Sequence, residues 1–146
     1  MKGGCHVRVC IVRKYYHGSN ALYDFPSMRV IEDQVFAPDS EHALKCLLGF
    51  YVTEDRAFAE KCGGYVYEIE LKYETECEFL DISEMMKDHG IACRMSFKDG
   101  CVYYIAKRRD YVERGVSMVV IKEVDGYSGE SIIVNLDAIR SFKRVR

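Results

Sequence analysis

The feature that most restricts how this chain can fold is the alternating segment at residues 65–73, Tyr-Val-Tyr-Glu-Ile-Glu-Leu-Lys-Tyr. Side chains of an extended chain point alternately to opposite faces, so every second residue shares a face. The apolar set is Tyr67, Ile69, Leu71 and Tyr73, and the charged set is Glu68, Glu70 and Lys72. The segment therefore predicts a half-buried strand, with its charged face in solvent.

The rest of the chain predicts strands and helices without a regular β-α alternation. Further strands are predicted at 6–16, 50–52, 79–82, 116–124 and 130–135. Helices are predicted at 40–49, capped by Ser40 and closed by Gly49, at 53–62, capped by Thr53, and at 83–90 and 99–114. The turn-rich residues 125–129 predict a hairpin or neighbouring strands, and 21–39 predict an irregular segment with a short strand near 28–32. This order favours an α+β fold with antiparallel sheets over a doubly wound parallel sheet.

Composition limits the broad class. The length of 146 residues suits one domain spanning 1–146, and 49% hydrophobic and 30% charged residues are ordinary for a globular protein. A net charge of −2 gives no global reason to expect nucleic acid or an acidic membrane as a partner. The start at Met1–Gly4 does not resemble a signal peptide, and no apolar run approaches the roughly 20 residues of a membrane span. We therefore expect a cytoplasmic protein with no membrane partner.

Cysteine and histidine spacing argues against a metal site. Seven cysteines occur, none in C-x-x-C spacing, and the four histidines lack the spacing of metal ligands. Reduced, buried thiols and no bound metal are expected. Gly-x-Gly-x-x-Gly and Walker A loops are also missing from the sequence.

Three short stretches, far apart in the sequence, carry a resemblance to a known family. They are Tyr-His-Gly-Ser at 16–19 after the first predicted strand, Gly-Phe-Tyr-Val-Thr at 49–53 before a helix, and Gly-Glu-Ser-Ile-Ile-Val at 129–134 on a late strand. In order and element type they resemble the His-Tyr-Glu ADP-ribosyltransferases, which include diphtheria-toxin-type enzymes and poly(ADP-ribose) polymerases. Leu-Asp-Ala-Ile at 136–139 also looks like the family's closing segment.

The resemblance implies a fold and an activity. The expected fold is α+β, with two small antiparallel sheets packed as a split β-sandwich and flanking helices. The expected activity is mono-ADP-ribosyl transfer, in which NAD is the substrate and no metal takes part. The nicotinamide–ribose bond would break and ADP-ribose would pass to an unidentified acceptor, namely a protein, a nucleic acid, a small molecule or water.

The resemblance also assigns roles to individual residues. His17 would hydrogen-bond a ribose hydroxyl, and the backbone of Gly18 would approach the nicotinamide amide. Tyr51 would stack on nicotinamide, and Glu130 would bond a ribose hydroxyl and stabilise the sugar cation. The catalytic set is thus Glu130, His17 and Tyr51, and the NAD-binding set is His17, Gly18, Ser19, Tyr51 and Thr53.

Each of these residues has a plainer interpretation when taken alone. His17 fits a turn, Tyr51 fits a core strand, and Glu130 fits an exposed charge at the start of a strand. Glu68 and Glu70 are rival carboxylates, although they alternate with apolar residues. The family interpretation depends on the joint occurrence of the three stretches.

Two positions depart from the family pattern. Ala59 stands where polymerase-type members place a serine that binds the nicotinamide amide, a task that Ser19 or Thr53 would have to take over. Family members commonly have a second stacking tyrosine at a position that falls near Cys62 in this chain. Phe58 and Tyr65 are the possible substitutes for it. These departures motivate an alternative, a catalytically degenerate NAD- or nucleotide-binding module of the same fold. A third hypothesis is a hydrolase with a nucleophilic Cys46 or Cys62.

Overall fold

The computed structural model describes residues 7–9, 14–36, 44–122 and 130–146. The strands are β1 (Val7–Val9), β2 (Lys14–Ser19), β3 (Phe50–Thr53), β4 (Tyr65–Leu71), β5 (Glu76–Asp81), β6 (Met118–Lys122), β7 (Glu130–Ile133) and β8 (Ile139–Arg144). The helices are α1 (Met28–Phe36), α2 (Arg56–Cys62), α3 (Ile82–Cys93) and α4 (Phe97–Glu113), with 3₁₀ helices at Leu44–Leu48 and Leu136–Ala138. The protein is therefore α+β, as expected from the sequence.

The described strands form one mixed sheet in the order β1-β5-β6-β7-β3-β2-β4-β8. All neighbouring pairs are antiparallel except β5 and β6, which run parallel. The expectation of purely antiparallel sheets is thus wrong, because α3 and α4 together form the long crossover that a parallel pair requires. Between β2 and β3 the register contains a single pair, Tyr16 opposite Thr53.

Buried side chains form two clusters that lie on opposite faces of β6 and β7. Val119 and Ile132 belong to one cluster, together with residues of α3 and α4. Met118 and Ile133 belong to the other, together with residues of β3 and β4. Because successive residues of a strand face opposite sides, the helices cover one face of these strands and the aromatic-rich cluster fills the other.

The alternating strand is confirmed as β4. Tyr67, Ile69 and Leu71 are at most 1% exposed. On the other face Glu68 forms ion pairs with Lys14 and Lys143, which leaves that carboxylate engaged on the surface. Tyr73 lies outside the strand and is 66% exposed, contrary to the predicted pattern.

The segment predicted to be irregular contains α1. The short strand expected near 28–32 is wrong, because Ile31 and Val35 are buried one helical turn apart. The Ser27 hydroxyl accepts a hydrogen bond from the Val30 N–H at 3.4 Å, at the start of the helix. Pro26 therefore precedes a helix, where proline is tolerated, and does not mark a long loop.

Other boundaries shift by a few residues. The single strand expected at 6–16 is wrong, because β1 lies beside β5 whereas β2 lies between β3 and β4. Strand β2 continues to Ser19. Helix α2 is capped by Asp55 and not by Thr53, since the Asp55 carboxylate accepts from the Ala57 and Phe58 N–H groups. The predicted hairpin strands pair antiparallel as β6 and β7. The helix start at Ser40, the turn at 125–129, and Cys5 and Cys10 lie outside the described residues.

Three observations concern the broad class. Four of the described cysteines, Cys62, Cys77, Cys93 and Cys101, form no disulfide. Within the described ranges, no helix has the length and apolar character needed to cross a membrane. The same residues contain no cluster of three or more His, Cys, Asp or Glu side chains able to hold a metal ion.

Candidate functional site

A cavity of about 550 Å³ lies among β2, β3, α2 and the first 3₁₀ helix. Its volume falls in the range typical of small-molecule sites. All residues of the predicted catalytic and NAD-binding sets line it: His17, Gly18, Ser19, Tyr51, Thr53 and Glu130. The structure thus places an imidazole, a phenol ring and a carboxylate from three separate stretches of sequence around one space.

The imidazole of His17 joins β2 to β3 beside the single backbone pair. Its Nδ1 lies 2.6 Å from the Tyr51 carbonyl oxygen. A carbonyl can only accept, so Nδ1 carries the proton and Nε2 is the accepting nitrogen of the neutral ring. The ring also stacks on Phe50, with centroids 4.0 Å apart, and Tyr23 packs edge-on against both rings. These contacts fix the orientation of the imidazole.

Burial keeps His17 neutral. Desolvation lowers the pKa of this imidazole from 6.5 to about 4, although the bond to the Tyr51 carbonyl opposes the shift. At neutral pH the ring therefore donates from Nδ1 and accepts at Nε2. An acceptor of this kind suits a ligand hydroxyl and does not suit an anion.

The neutral state of His17 makes the stability of the fold depend on pH. The unfolded chain protonates this imidazole near pH 6.5, whereas the folded protein does so only near about 4. The contribution is therefore complete above pH 6.5 and is lost as the pH falls towards 4. We expect His17→Gln to flatten this part of the pH dependence, measured as the free energy of unfolding in urea at successive pH values. Equal slopes for the two proteins would contradict the assignment.

Tyr51 contributes both backbone and side chain to the site. Its hydroxyl donates to the Lys45 carbonyl at 3.1 Å, and the Lys45 ammonium lies 5.2 Å from the centroid of its ring. The ring is half-buried beside the helix-covered cluster. The phenol is therefore held in place from the 3₁₀ helix that precedes β3.

Glu130 enters the cavity from the start of β7. It lies opposite Thr53 at the end of β3, and its side chain is partly buried. Burial raises the pKa of the neighbouring Cys62 thiol, and the charge of Glu130 raises it further. A thiol whose pKa is raised is poorly suited to act as a nucleophile, which weighs against the hydrolase hypothesis for Cys62.

Gly18 is the point at which α2 packs directly on the sheet. A Cβ at this position would lie 1.8 Å from the Ala59 carbonyl oxygen and 2.8 Å from its carbonyl carbon. The packing of α2 therefore requires glycine here, whether or not a ligand also approaches the backbone. Ala59 and Cys62 both line the cavity, so the two departures from the family pattern fall within the site.

The hydroxyl oxygens of Ser19 and Thr53 accept local backbone hydrogen bonds. Ser19 Oγ accepts from the Ala21 N–H at 3.0 Å, and Thr53 Oγ1 accepts from the Asp55 N–H at 3.1 Å. Each hydroxyl still carries a proton that can be donated to a ligand. Of the two proposed substitutes for the second tyrosine, Phe58 lines the cavity and Tyr65 does not appear among the lining residues.

The part of the cavity wall formed by Ala21 and Tyr23, after β2, is hydrogen-bonded to a buried tyrosine. The Tyr67 hydroxyl donates to the Ala21 carbonyl and accepts from the Tyr23 N–H, each at 2.9 Å. Tyr67 is fully buried and stacks on Phe142. It thereby ties the segment after Ser19 to the body of the sheet.

Several lining residues were not anticipated from the sequence. They are Asn20, Ala21, Tyr23, Ile31 and Lys45, while Tyr16, Gly49, Phe50 and Val52 belong to the motif stretches but were given no role there, and Cys46 was named only as a candidate nucleophile. Phe50 belongs to the Gly-Phe-Tyr-Val-Thr stretch and could have been found there, whereas Tyr23 and Ile31 fall in the segment that was predicted to be irregular. No sequence pattern indicated Lys45, because its place in the cavity depends on how the 3₁₀ helix packs.

Comparison with models of known protein families finds no match to this chain, and comparison with curated protein sequences finds none.

Proposed function

We propose that this protein is an NAD-dependent mono-ADP-ribosyltransferase. The observation that carries the proposal is the convergence of His17, Tyr51 and Glu130, with Gly18, Ser19 and Thr53, on one cavity. These residues were selected from three separated stretches by their resemblance to the His-Tyr-Glu enzymes, without reference to their positions in space. Residues chosen at random would be scattered over the core and the surface.

The chemistry requires stabilisation of a developing positive charge. In the proposed reaction the bond between the ribose C1′ and the nicotinamide nitrogen breaks, and its electron pair leaves with nicotinamide. The sugar becomes an oxocarbenium-like cation, as in glycoside cleavage. The acceptor then bonds to C1′ and loses a proton. A carboxylate fixed beside the sugar stabilises this cation without reorganisation, and Glu130 is the residue proposed for that task.

The remaining groups would position the substrate. His17 Nε2 accepts from a ribose hydroxyl, since Nδ1 is committed to the Tyr51 carbonyl. The Tyr51 ring stacks on nicotinamide. The Ser19 and Thr53 hydroxyls donate to polar atoms of the ligand, a task that a serine performs in polymerase-type members at the position of Ala59. Holding the reacting atoms in one geometry supplies much of the rate in reactions of this kind.

We propose further that the strands act as the two halves of a split β-sandwich. The single pair between β2 and β3 supports this division, since β2, β4 and β8 would form one half and the other five strands the second half. The cavity lies at that junction. The proposed compartment is the cytoplasm, where NAD is available and thiols stay reduced.

A degenerate NAD- or nucleotide-binding module is the second candidate. Ala59 and Cys62 favour it, because both line the cavity at positions where a hydroxyl and a second stacking ring were expected. Such a module would bind NAD and release it unchanged.

Incubation with NAD labelled separately in the nicotinamide and adenine portions tests the proposal. A transferase is expected to release labelled nicotinamide, while the adenine label appears as free ADP-ribose or on an added acceptor. Calorimetry run in parallel detects binding. Binding with complete recovery of intact NAD would favour the second candidate. No binding and no turnover would overturn both.

A further inference from the structure

We infer that Lys45 binds the diphosphate of a dinucleotide in this cavity and so determines which end of the ligand lies beside Glu130. The inference rests on the proposed function for the identity of the ligand. Lys45 belongs to the 3₁₀ helix before β3, is partly buried and lines the cavity. Its role follows from the distribution of charge around the cavity walls.

The cavity contains one cation and one carboxylate among its described lining residues, Lys45 and Glu130. Their backbones lie at opposite ends of β3, because Glu130 pairs with Thr53 and Lys45 precedes Phe50. The cation and the carboxylate therefore originate from opposite ends of the strand, and the Lys45 side chain places its ammonium over the Tyr51 ring. NAD has a matching polarity, with a cationic nicotinamide ring at one end and a doubly charged diphosphate one ribose away.

No neighbouring carboxylate neutralises Lys45 within the part of the chain that the structure describes. The ion pairs found there join other residues, and the Lys45 ammonium instead lies over the Tyr51 ring. Burial lowers the pKa of His89, and the charge of Lys45 lowers it further, while the charge of Asp88 opposes the shift. The Asp88 carboxylate forms its ion pair with Lys107 and not with Lys45. A partly buried cation that has no ion-pair partner among the described residues is suited to bind an anionic ligand.

The position of the Lys45 ammonium over the Tyr51 ring links the proposed diphosphate site to the proposed nicotinamide site. An ammonium that lies over an aromatic ring is attracted by the negative charge on the ring's face. Because the Tyr51 hydroxyl also donates to the Lys45 carbonyl, the ring and the ammonium form one fixed unit. A ligand that reaches both would present an aromatic group and an anionic group at a set separation.

The test compares binding of three probes, NAD, ADP-ribose and nicotinamide, to the wild-type protein and to Lys45→Met. Methionine preserves packing on the ring but removes the charge. The affinities for NAD and ADP-ribose are expected to fall about tenfold, while the affinity for nicotinamide stays within about twofold. The wild-type affinity for NAD should weaken with added salt, and that dependence should be reduced in the variant. Lys45→Arg should recover most of the loss.

Controls separate this inference from the proposed function. Lys72→Met removes an exposed lysine outside the cavity and should change no affinity. Unchanged NAD affinity in Lys45→Met would overturn the inference, as would an equal loss for nicotinamide, which would indicate a packing role. Turnover by the wild-type protein would leave the proposed function standing in either case. A wild-type protein that binds neither NAD nor ADP-ribose would overturn both.

Discussion

Glu130→Gln is expected to reduce NAD cleavage by about 100- to 1,000-fold, which is the usual effect of removing one group that stabilises charge in a transition state. Glutamine has nearly the same shape and can still hydrogen-bond a ribose hydroxyl, but it carries no negative charge. The affinity for NAD should therefore change by only a few fold. Nicotinamide release at saturating NAD, together with calorimetric binding, separates the two effects.

Glu70→Gln provides a matched control for this prediction. Glu70 lies on β4, outside the cavity lining, where it pairs with Arg140. The same chemical change there should leave both turnover and NAD affinity intact. A Glu130→Gln protein that cleaves NAD at the wild-type rate would remove the carboxylate from the mechanism. A loss of binding as large as the loss of rate would indicate that Glu130 only holds the ground state.

The fold was predictable from sequence where burial alternates strongly along one element. β4 was found because Tyr67, Ile69 and Leu71 alternate with charged residues. The helix α1 was missed because two prolines near residues 26–38 obscured the buried pair Ile31 and Val35. The parallel pairing of β5 with β6 could not be derived, since local sequence does not determine strand direction.

The site was predictable to the extent that short stretches keep their residue order. His17, Tyr51 and Glu130 were identified from motif order, and the structure brings them together. The sequence could not provide the position of Lys45 in the cavity or the hydrogen bonds of the Tyr67 hydroxyl, because these depend on tertiary packing of the 3₁₀ helix and of the segment after Ser19. Gly18 shows the opposite case: a motif glycine for which the structure reveals a packing requirement separate from any ligand.

That packing requirement gives the second large expected effect, on stability. Gly18→Ala would place a Cβ 1.8 Å from the backbone oxygen of Ala59, a contact that no side-chain rotation relieves. We expect a loss of about 3 kcal/mol, the upper end for overpacking, as α2 is pushed off β2. Gly90→Ala is the matched control, because nothing lies within 4 Å of a Cβ at that position in α3. Alanine there should stabilise the helix by about 0.5–1 kcal/mol.

The two glycine substitutions are therefore expected to change the free energy of unfolding in opposite directions. Urea unfolding of both proteins measures this from the denaturation midpoints. A Gly18→Ala protein as stable as the wild type would mean that α2 does not press on β2 as described. Because Ala59 and Cys62 of α2 line the cavity, the same displacement should abolish ligand binding even at temperatures where the variant remains folded. Gly90→Ala changes a residue that is not part of the cavity lining and should bind as the wild type does. The joint loss of stability and binding would show that the fit of α2 against the sheet shapes the site.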